Sequence, residues 1–269
     1  MAVRAAHPVR TLRDLVATLE AAITLVRTNA KSKPVHDLRT TTRRIEAQLE
    51  LLALLPDLPE HRKPAKKARK LLRKLRRAAG RVRDLDVQRG LIRSKSDEAH
   101  KLRSLFKQQR GQAVERLLDI VHKHQSKLDR HLKALLEMLT SAQSLAIPAE
   151  HLIQLTLDWY AHQTSAPIHR NHRQLHDIRK AAKLARYIIE SAGSASTRHL
   201  ALTFESLQKS GGDWHDWHTL SRIARRELSS SSSLTQSFTH RREKSLAEYQ
   251  SQLKALPRNL APSNPRNIA

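Results

Sequence analysis

The chain has 269 residues, and its 50 Lys and Arg outnumber its 25 Asp and Glu, so the formal net charge is +25. This imbalance makes a compact state repel itself and predicts an anionic partner. Cysteine is absent, which excludes disulfides, thiolate zinc sites and cysteine nucleophiles. Aromatic residues make up only 3% of the chain and glycines number six, a composition that favours helices and predicts an all-α fold.

Apolar residues recur at helical spacing through most of the chain, and prolines mark the main interruptions. The serine run at 229–233 is interpreted as a linker or a helix cap. We expect two halves, residues 1–145 and 146–256, followed by an extended or disordered, proline-rich tail at 257–269. The predicted helices cover residues 9–27, 35–55, 64–79, 80–92, 98–141, 149–162, 171–191, 196–209, 214–228 and 234–256.

The chain start and the apolar stretches predict no membrane segment. Arg4, Arg10 and Arg13 are not followed by an apolar run, so the start resembles neither a signal peptide nor an anchor. The longest apolar stretch, residues 51–55, is far too short to cross a bilayer. We therefore expect a soluble cytoplasmic protein. We also expect a monomer or a weak dimer that needs no cofactor.

Two segments of the sequence repeat each other. Val-His-Asp-Leu-Arg at 35–39 matches Leu-His-Asp-Ile-Arg at 175–179, and the segment 80–86 matches 212–218 more loosely. The chain is therefore predicted to be a duplicated helical unit. If the two copies pack with pseudo-symmetry, each buries its own apolar face and presents its basic face to a shared cleft.

Each His-x-x-Arg segment has one basic and one apolar helical face, because a helix turns once in about 3.6 residues. Asp37 and Asp177 border the basic faces, and we expect them to orient basic neighbours. The first basic face consists of His36, Arg39, Thr40 and Arg43; the second consists of His176, Arg179, Lys180 and Lys183, with Arg186 at its edge.

A basic block lies between the two His-x-x-Arg segments, at residues 62–83, where twelve residues are Lys or Arg and none is acidic. Like charges four residues apart on a helix each cost roughly a few tenths of a kcal/mol, so a bound anion would explain the arrangement. We expect this block to widen the anion site. One predicted face of it consists of Lys63, Lys66, Lys67, Lys70, Lys74, Arg77 and Arg81.

These segments resemble the CHAD family, the conserved histidine α-helical domain. Residues 35–52, 80–87 and 175–189 show the match, which spans about residues 8–255. The resemblance implies two four-helix-bundle-like halves around a basic central cleft that binds inorganic polyphosphate without turnover. Carried over onto matching positions, it implies phosphate contacts by His36, Arg39, Arg43, His176, Arg179 and Lys183.

The sequence departs from the family pattern at His215 and His218, which stand in place of Arg83 and Asp86. Asp84 and Asp86 could hold Mg²⁺ for phosphoryl transfer. The second copy has Asp216 but His218, so a duplicated carboxylate pair is absent, and roles in orienting arginines or in capping are favoured. Sixteen histidines invite a zinc hypothesis, but most have cationic neighbours and none has a thiolate partner. We predict no metal site and no catalytic residue, with a polyphosphate-processing enzyme as an alternative.

A non-specific nucleic-acid-binding protein is the main alternative, because a basic helix also contacts a phosphate backbone. Base-reading patterns are absent, and helix packing explains Trp159, Trp214 and Trp217. The leading hypothesis is non-enzymatic binding of long-chain inorganic polyphosphate, in the cytoplasm or on polyphosphate granules. The predicted contacts are His36, Arg39, Arg43, Arg44, Lys63, Lys66, Lys67, Lys70, Arg73, Lys74, Arg77, Arg81, Arg83, His176, Arg179, Lys180, Lys183, Arg186 and His215.

Overall fold

The computed structural model describes residues 5–56, 58–164, 171–256 and 260. Within these ranges the chain forms eight α helices, two strands of two residues each and two short 3-10 helices, so the predicted all-α fold is confirmed. The chain separates into an N-terminal unit, His7–Ile147, and a C-terminal unit that begins at Pro148 and includes Ala5–Ala6. The predicted tail at 257–269 lies outside the described residues except for Leu260.

The N-terminal unit is a bundle of four helices. Each helix packs on the next one, and α1 also packs on α4, which closes the bundle around a core of buried aliphatic side chains. The hydroxyl of Ser96 accepts from the Ala99 backbone N–H and so caps the longest of these helices. The helices are α1, Pro8–Thr28; α2, Ser32–Leu54; α3, Arg62–Leu91; and α4, Asp97–Met138.

The C-terminal unit also contains four helices, and its core includes several aromatic rings. α6 packs on both α5 and α7, and α7 packs on α8. Tyr160 and Phe204 meet edge to face with centroids 5.0 Å apart. Ser232 caps the last helix, so the cap predicted within the serine run is confirmed. The helices are α5, Ala149–Thr164; α6, His172–Ile189; α7, Ala195–Glu227; and α8, Ser233–Lys254.

The remaining elements are short. Strand β1 is Ala5–Ala6 and strand β2 is Ile147–Pro148. The 3-10 helices are Thr140–Ala142, which follows α4, and Glu190–Ala192, which follows α6. Gly193, with φ of 59°, ends the second of these in the left-handed conformation that glycine adopts without strain.

The two helix breaks predicted at glycines are wrong. α3 continues through Gly80, and α7 continues through Gly211 and Gly212. A glycine inside a helix costs only about 0.5–1 kcal/mol relative to alanine, which the packing of a long helix easily exceeds. Gly80 lies beside the Arg39 side chain, and Gly211 lies beside the Tyr249 ring. Gly211 therefore provides room for the ring, since a Cβ there would lie 2.9 Å from it, whereas a Cβ at Gly80 would make an ordinary contact.

Candidate functional site

The first predicted basic face lies on α2. His36 is exposed, and its Nε2 lies 3.4 Å from the Thr40 hydroxyl one turn later. Arg39 is half-buried, and its Nε is buried without a hydrogen-bond partner among the described residues. Asp37 accepts from Lys33 Nζ at 2.9 Å, so this carboxylate orients a lysine as predicted. The face thus presents a partly desolvated guanidinium beside an exposed imidazole.

One flank of α3 holds the basic face of α2 in place. Arg76 pairs with Glu46 at 2.5 Å, and Arg69 pairs with Glu50 at 3.1 Å, both across the α2 and α3 interface. Between these helices, the Nε of Arg39 would lie 3.4 Å from a Cβ on Gly80, which is an ordinary contact distance. The Arg39 guanidinium therefore packs against α3 at Gly80.

The other flank of α3 faces α4. Arg81 donates to Gln109 Oε1 at 2.9 Å, and Lys74 Nζ lies 3.3 Å from His124 Nε2. Lys67 and Lys70 line the same groove, a surface cavity of about 300 Å³. The basic block, which the sequence predicts to widen the His36 face, is therefore divided between two sides of one helix.

The second predicted basic face lies on α6. Arg179 donates from Nη2 to His176 Nδ1 at 3.3 Å. An arginine N–H can only donate, so this nitrogen of His176 accepts and the proton of the neutral ring is on Nε2. Lys180 pairs with Asp177 at 2.5 Å, which is the orienting role predicted for that aspartate. The face therefore holds a fixed imidazole beside a guanidinium.

Arg186, at the edge of the predicted face, makes two ion pairs within the C-terminal unit. Its Nε donates to Glu190 and its Nη1 donates to Glu205, each at 2.8 Å. Its guanidinium also lies 5.3 Å from the centroid of the Tyr187 ring. These contacts satisfy much of its hydrogen-bonding capacity and give it a structural role at the end of α6.

Packing of α6 on α7 gathers four histidines into one group, which we call the imidazole cluster. It consists of His172, His176, His215 and His218. The ring centroids of His172 and His218 are 4.0 Å apart, and those of His176 and His215 are 4.8 Å apart. The Trp214 ring lies 4.8 Å from His172. The i,i+4 and i,i+3 spacings show each pair in the sequence, but only the packing of the two helices joins the pairs.

Burial lowers the pKa of every histidine in the imidazole cluster, and nearby guanidinium and imidazole groups lower it further. The pKa is about 4 for His176, about 3 for His215 and about 4 for His218. After burial, Arg179 is the largest influence on both His176 and His215. The cluster is therefore neutral near pH 7, and the Nε2–H of His176 remains able to donate a hydrogen bond.

Carboxylates near the basic block also hold arginines. Asp86 accepts from Arg110 Nε at 2.6 Å, and the Arg110 guanidinium reaches the Ala30 carbonyl at 2.9 Å.

Among the residues described, no group of three or more histidines or carboxylates could hold a metal ion. In the same ranges, no helix is long and apolar enough to cross a membrane.

The predicted contacts lie on four helices. They are His36, Arg39, Arg43 and Arg44 on α2; Lys63, Lys66, Lys67, Lys70, Arg73, Lys74, Arg77, Arg81 and Arg83 on α3; His176, Arg179, Lys180, Lys183 and Arg186 on α6; and His215 on α7. The sequence prediction omits His124, Lys127 and His131, which line the α3 and α4 groove. Their i,i+3,i+7 spacing is the sequence signal that could have found them.

The tryptophans are packed within the C-terminal unit. Trp159 and Trp214 are buried, and Trp217 lies between Phe238, with centroids 5.8 Å apart, and the Arg241 guanidinium, 5.1 Å from its ring centroid. Helix packing therefore explains these side chains, as predicted from the sequence.

Comparisons with known proteins place this fold. The chain is similar to the CHAD domain from the plant Ricinus communis, with a TM-score of 0.67 and 17% identity over 98% of this chain and 96% of that one. It is also similar to PptA from Streptomyces chartreusis, with a TM-score of 0.64 and 14% identity over 92% of this chain and 98% of that one. No curated protein matches significantly. The family model of the CHAD domain matches residues 10–225, and the chain therefore belongs to the CHAD domain family.

Proposed function

We propose that this protein binds long-chain inorganic polyphosphate through the basic faces of α2 and α6, and does not turn it over. Arg39 is the observation that most supports this function. Its guanidinium is half-buried, and no carboxylate or carbonyl among the described residues accepts from its Nε. A buried donor without an acceptor on a cation costs about 1–3 kcal/mol, and a phosphate bound at the accessible part of the same guanidinium would offset this cost by neutralising its charge.

The α6 face supports the same function through different groups. Because Arg179 donates to Nδ1 of His176, the Nε2–H of that ring is the donor left for a phosphate oxygen. The anion would also raise the pKa of His176 from its value of about 4, since an opposite charge favours the protonated ring. Each unit would thus offer a guanidinium and an imidazole three residues apart.

A chain of phosphates fits these faces better than a single phosphate. Each basic face carries several cations along its own helix, so successive phosphates of a long polyanion can engage several of them at once. We expect affinity to rise with chain length and orthophosphate to bind poorly. Membership in the CHAD domain family agrees with this ligand, which the sequence resemblance implies.

The roles of three nearby carboxylates support binding without turnover. Asp37 and Asp177 each pair with a lysine of their own helix, and Asp86 pairs with Arg110. Metal-assisted phosphoryl transfer needs carboxylates that are open to a cation and gathered around one point. In this chain these three carboxylates instead orient basic side chains.

The proposal is tested by measuring the affinity of the protein for three polyanions of matched charge at near-physiological salt. These are long-chain polyphosphate, duplex DNA and single-stranded DNA. Polyphosphate should bind more tightly than either DNA, because the sequence has no base-reading pattern that would supplement the phosphate contacts. Equal affinity for DNA would favour a non-specific nucleic-acid-binding protein. Shortening of the polymer during incubation with Mg²⁺ would instead reveal a polyphosphate-processing enzyme.

Substitutions on the two faces locate the binding site. Replacing Arg39, Arg43, Arg179 and Lys183 with alanine should weaken polyphosphate binding at least about a hundredfold, since charge-assisted hydrogen bonds contribute about 1.5–3 kcal/mol each. Unchanged affinity in this variant would show that the faces of α2 and α6 are not the site.

A further inference from the structure

The groove between α3 and α4 in the N-terminal unit has a regular arrangement of basic groups. Three lysines of α3 face two histidines and a lysine of α4, and both sets follow i,i+3,i+7 spacing, which keeps them on one side of a helix. Arg81 contacts Gln109 while Lys74 contacts His124, so the two helices are antiparallel. The six groups are Lys67, Lys70, Lys74, His124, Lys127 and His131.

Antiparallel packing aligns these six groups into facing pairs. Lys74 Nζ lies 3.3 Å from His124 Nε2 at one end. At the other end Lys67 lies close enough to His131 to lower its pKa. Lys70 and Lys127 are the middle members of the two sets. Seven residues of helix rise about 10 Å, so the cations form a ladder of that length.

The ladder has no acidic member. All of the residues that line the cavity are basic except Leu71, and no carboxylate of the described residues forms an ion pair with Lys67, Lys70 or Lys127. Surface lysines normally have acidic neighbours or face open solvent. Here two rows of cations face each other, an arrangement that repels itself unless an anion lies between them.

We infer that this groove is a second binding site for condensed phosphate, separate from the His36 and Arg39 face. The identity of the anion rests on the proposed function, whereas the site rests on the ladder itself. A linear anion with a charge on every phosphate can contact successive facing pairs along the groove, which a single phosphate cannot. The two flanks of α3 would then serve two different sites, since Arg69 and Arg76 face α2 and Lys67 and Lys74 face α4.

The pKa values of the two histidines in the groove should change when an anion binds there. Desolvation lowers the pKa of both His124 and His131. Neighbouring cations lower these pKa values further: Lys74, Lys123 and Lys127 act on His124, and Lys67, Lys127 and Arg130 act on His131. An anion in the groove would neutralise these lysines and add a negative charge beside each ring. Both histidines should therefore take up protons more readily when the groove is occupied.

Inorganic tripolyphosphate is a suitable probe for this groove. The pKa values of the histidines are measured by NMR from their ring signals across a pH titration. The variants H124Q and H131Q assign the two signals. In the wild-type chain the probe should raise the pKa of both His124 and His131. In K67Q/K127Q the same change should need at least about tenfold more probe, because two charge-assisted contacts are lost. The matched control K95Q/K107Q loses the same charge at exposed positions away from the groove and should respond within about twofold of wild type.

Three results would overturn the inference. The first is an absence of any His124 and His131 response at probe concentrations where calorimetry shows binding, which would leave the proposed function intact. The second is an equal response in K67Q/K127Q and K95Q/K107Q, which would indicate general charge screening. The third is loss of the response in R39M, which would show one continuous site. If neither tripolyphosphate nor long polyphosphate binds the wild-type chain at all, the proposed function fails as well.

Discussion

The Arg179 side chain lies directly against Gly211. A Cβ at position 211 would be 3.1 Å from Arg179 Cγ and 2.9 Å from Cζ of the Tyr249 ring. Tyr249 is fully buried, and its hydroxyl donates to the Leu175 carbonyl at 3.0 Å, so the ring cannot move away easily. This glycine therefore brings α7, α8 and the basic face of α6 together.

Substitution of Gly211 by alanine should destabilise the protein by roughly 1–3 kcal/mol, since the added methyl group overpacks a fixed ring and displaces Arg179. Gly212 is the matched control, because a Cβ there meets nothing within 4 Å. G212A should be neutral or stabilising by up to about 1 kcal/mol through helix propensity. Chemical denaturation of the two variants checks this, and equal stability would contradict the close approach.

Replacement of Arg39 by methionine should weaken polyphosphate binding by about tenfold, because one charge-assisted contact is lost. The same change should leave the melting temperature unchanged or raise it, because a half-buried cation without an acceptor for its Nε is removed. R27Q, at an exposed arginine of α1, is the control and should bind within about twofold of wild type. A large stability loss in R39M would show that Arg39 has a structural role instead.

The stability of the C-terminal unit should fall as the pH decreases from about 6.5 to about 4. In this window an unfolded histidine, with its ordinary pKa of 6.5, binds a proton, whereas His176, His215 and His218 in the folded protein do not. Stability therefore rises with pH through the window and is constant above it as far as these groups are concerned. Thermal unfolding at several pH values measures the effect.

The double substitution H215Q/H218Q isolates this contribution from that of carboxylates that titrate in the same range. In the wild type we expect the melting temperature to drop by roughly 5 °C between pH 7 and pH 5. The variant should lose a clear part of that drop. An identical pH profile for both proteins would show that the imidazole cluster is already open to protonation.

Asp86 and Arg110 should contribute measurably to the N-terminal unit. The Asp86 side chain is 8% exposed and accepts from Arg110 at 2.6 Å, so D86A leaves a partly buried guanidinium without its carboxylate. We expect a loss of roughly 1–3 kcal/mol in the free energy of unfolding. E60A, at an exposed loop position, is the control and should have little effect. The double variant D86L/R110M should recover much of the stability; no recovery would mean that the carboxylate acts through other contacts.

Local pattern in the sequence was sufficient for much of the fold. The spacing of apolar residues predicted helices in nearly the observed places, because an amphipathic helix must keep its apolar side chains on one face. The two breaks predicted at Gly80 and at Gly211 and Gly212 were wrong. Propensity is a local quantity, whereas the continuity of these helices depends on packing against other helices, such as that of Gly211 against the Tyr249 ring.

The basic faces around His36 and His176 and the predominance of cations were determined by the sequence alone, since residue identity sets charge and helical periodicity sets which residues share a face. The tertiary structure decided which cations meet. It joined His172 and His176 to His215 and His218, and it turned Lys67, Lys70 and Lys74 of the basic block toward α4. Interhelical packing governs these relationships, because the flank of a helix that meets each neighbour depends on the whole bundle.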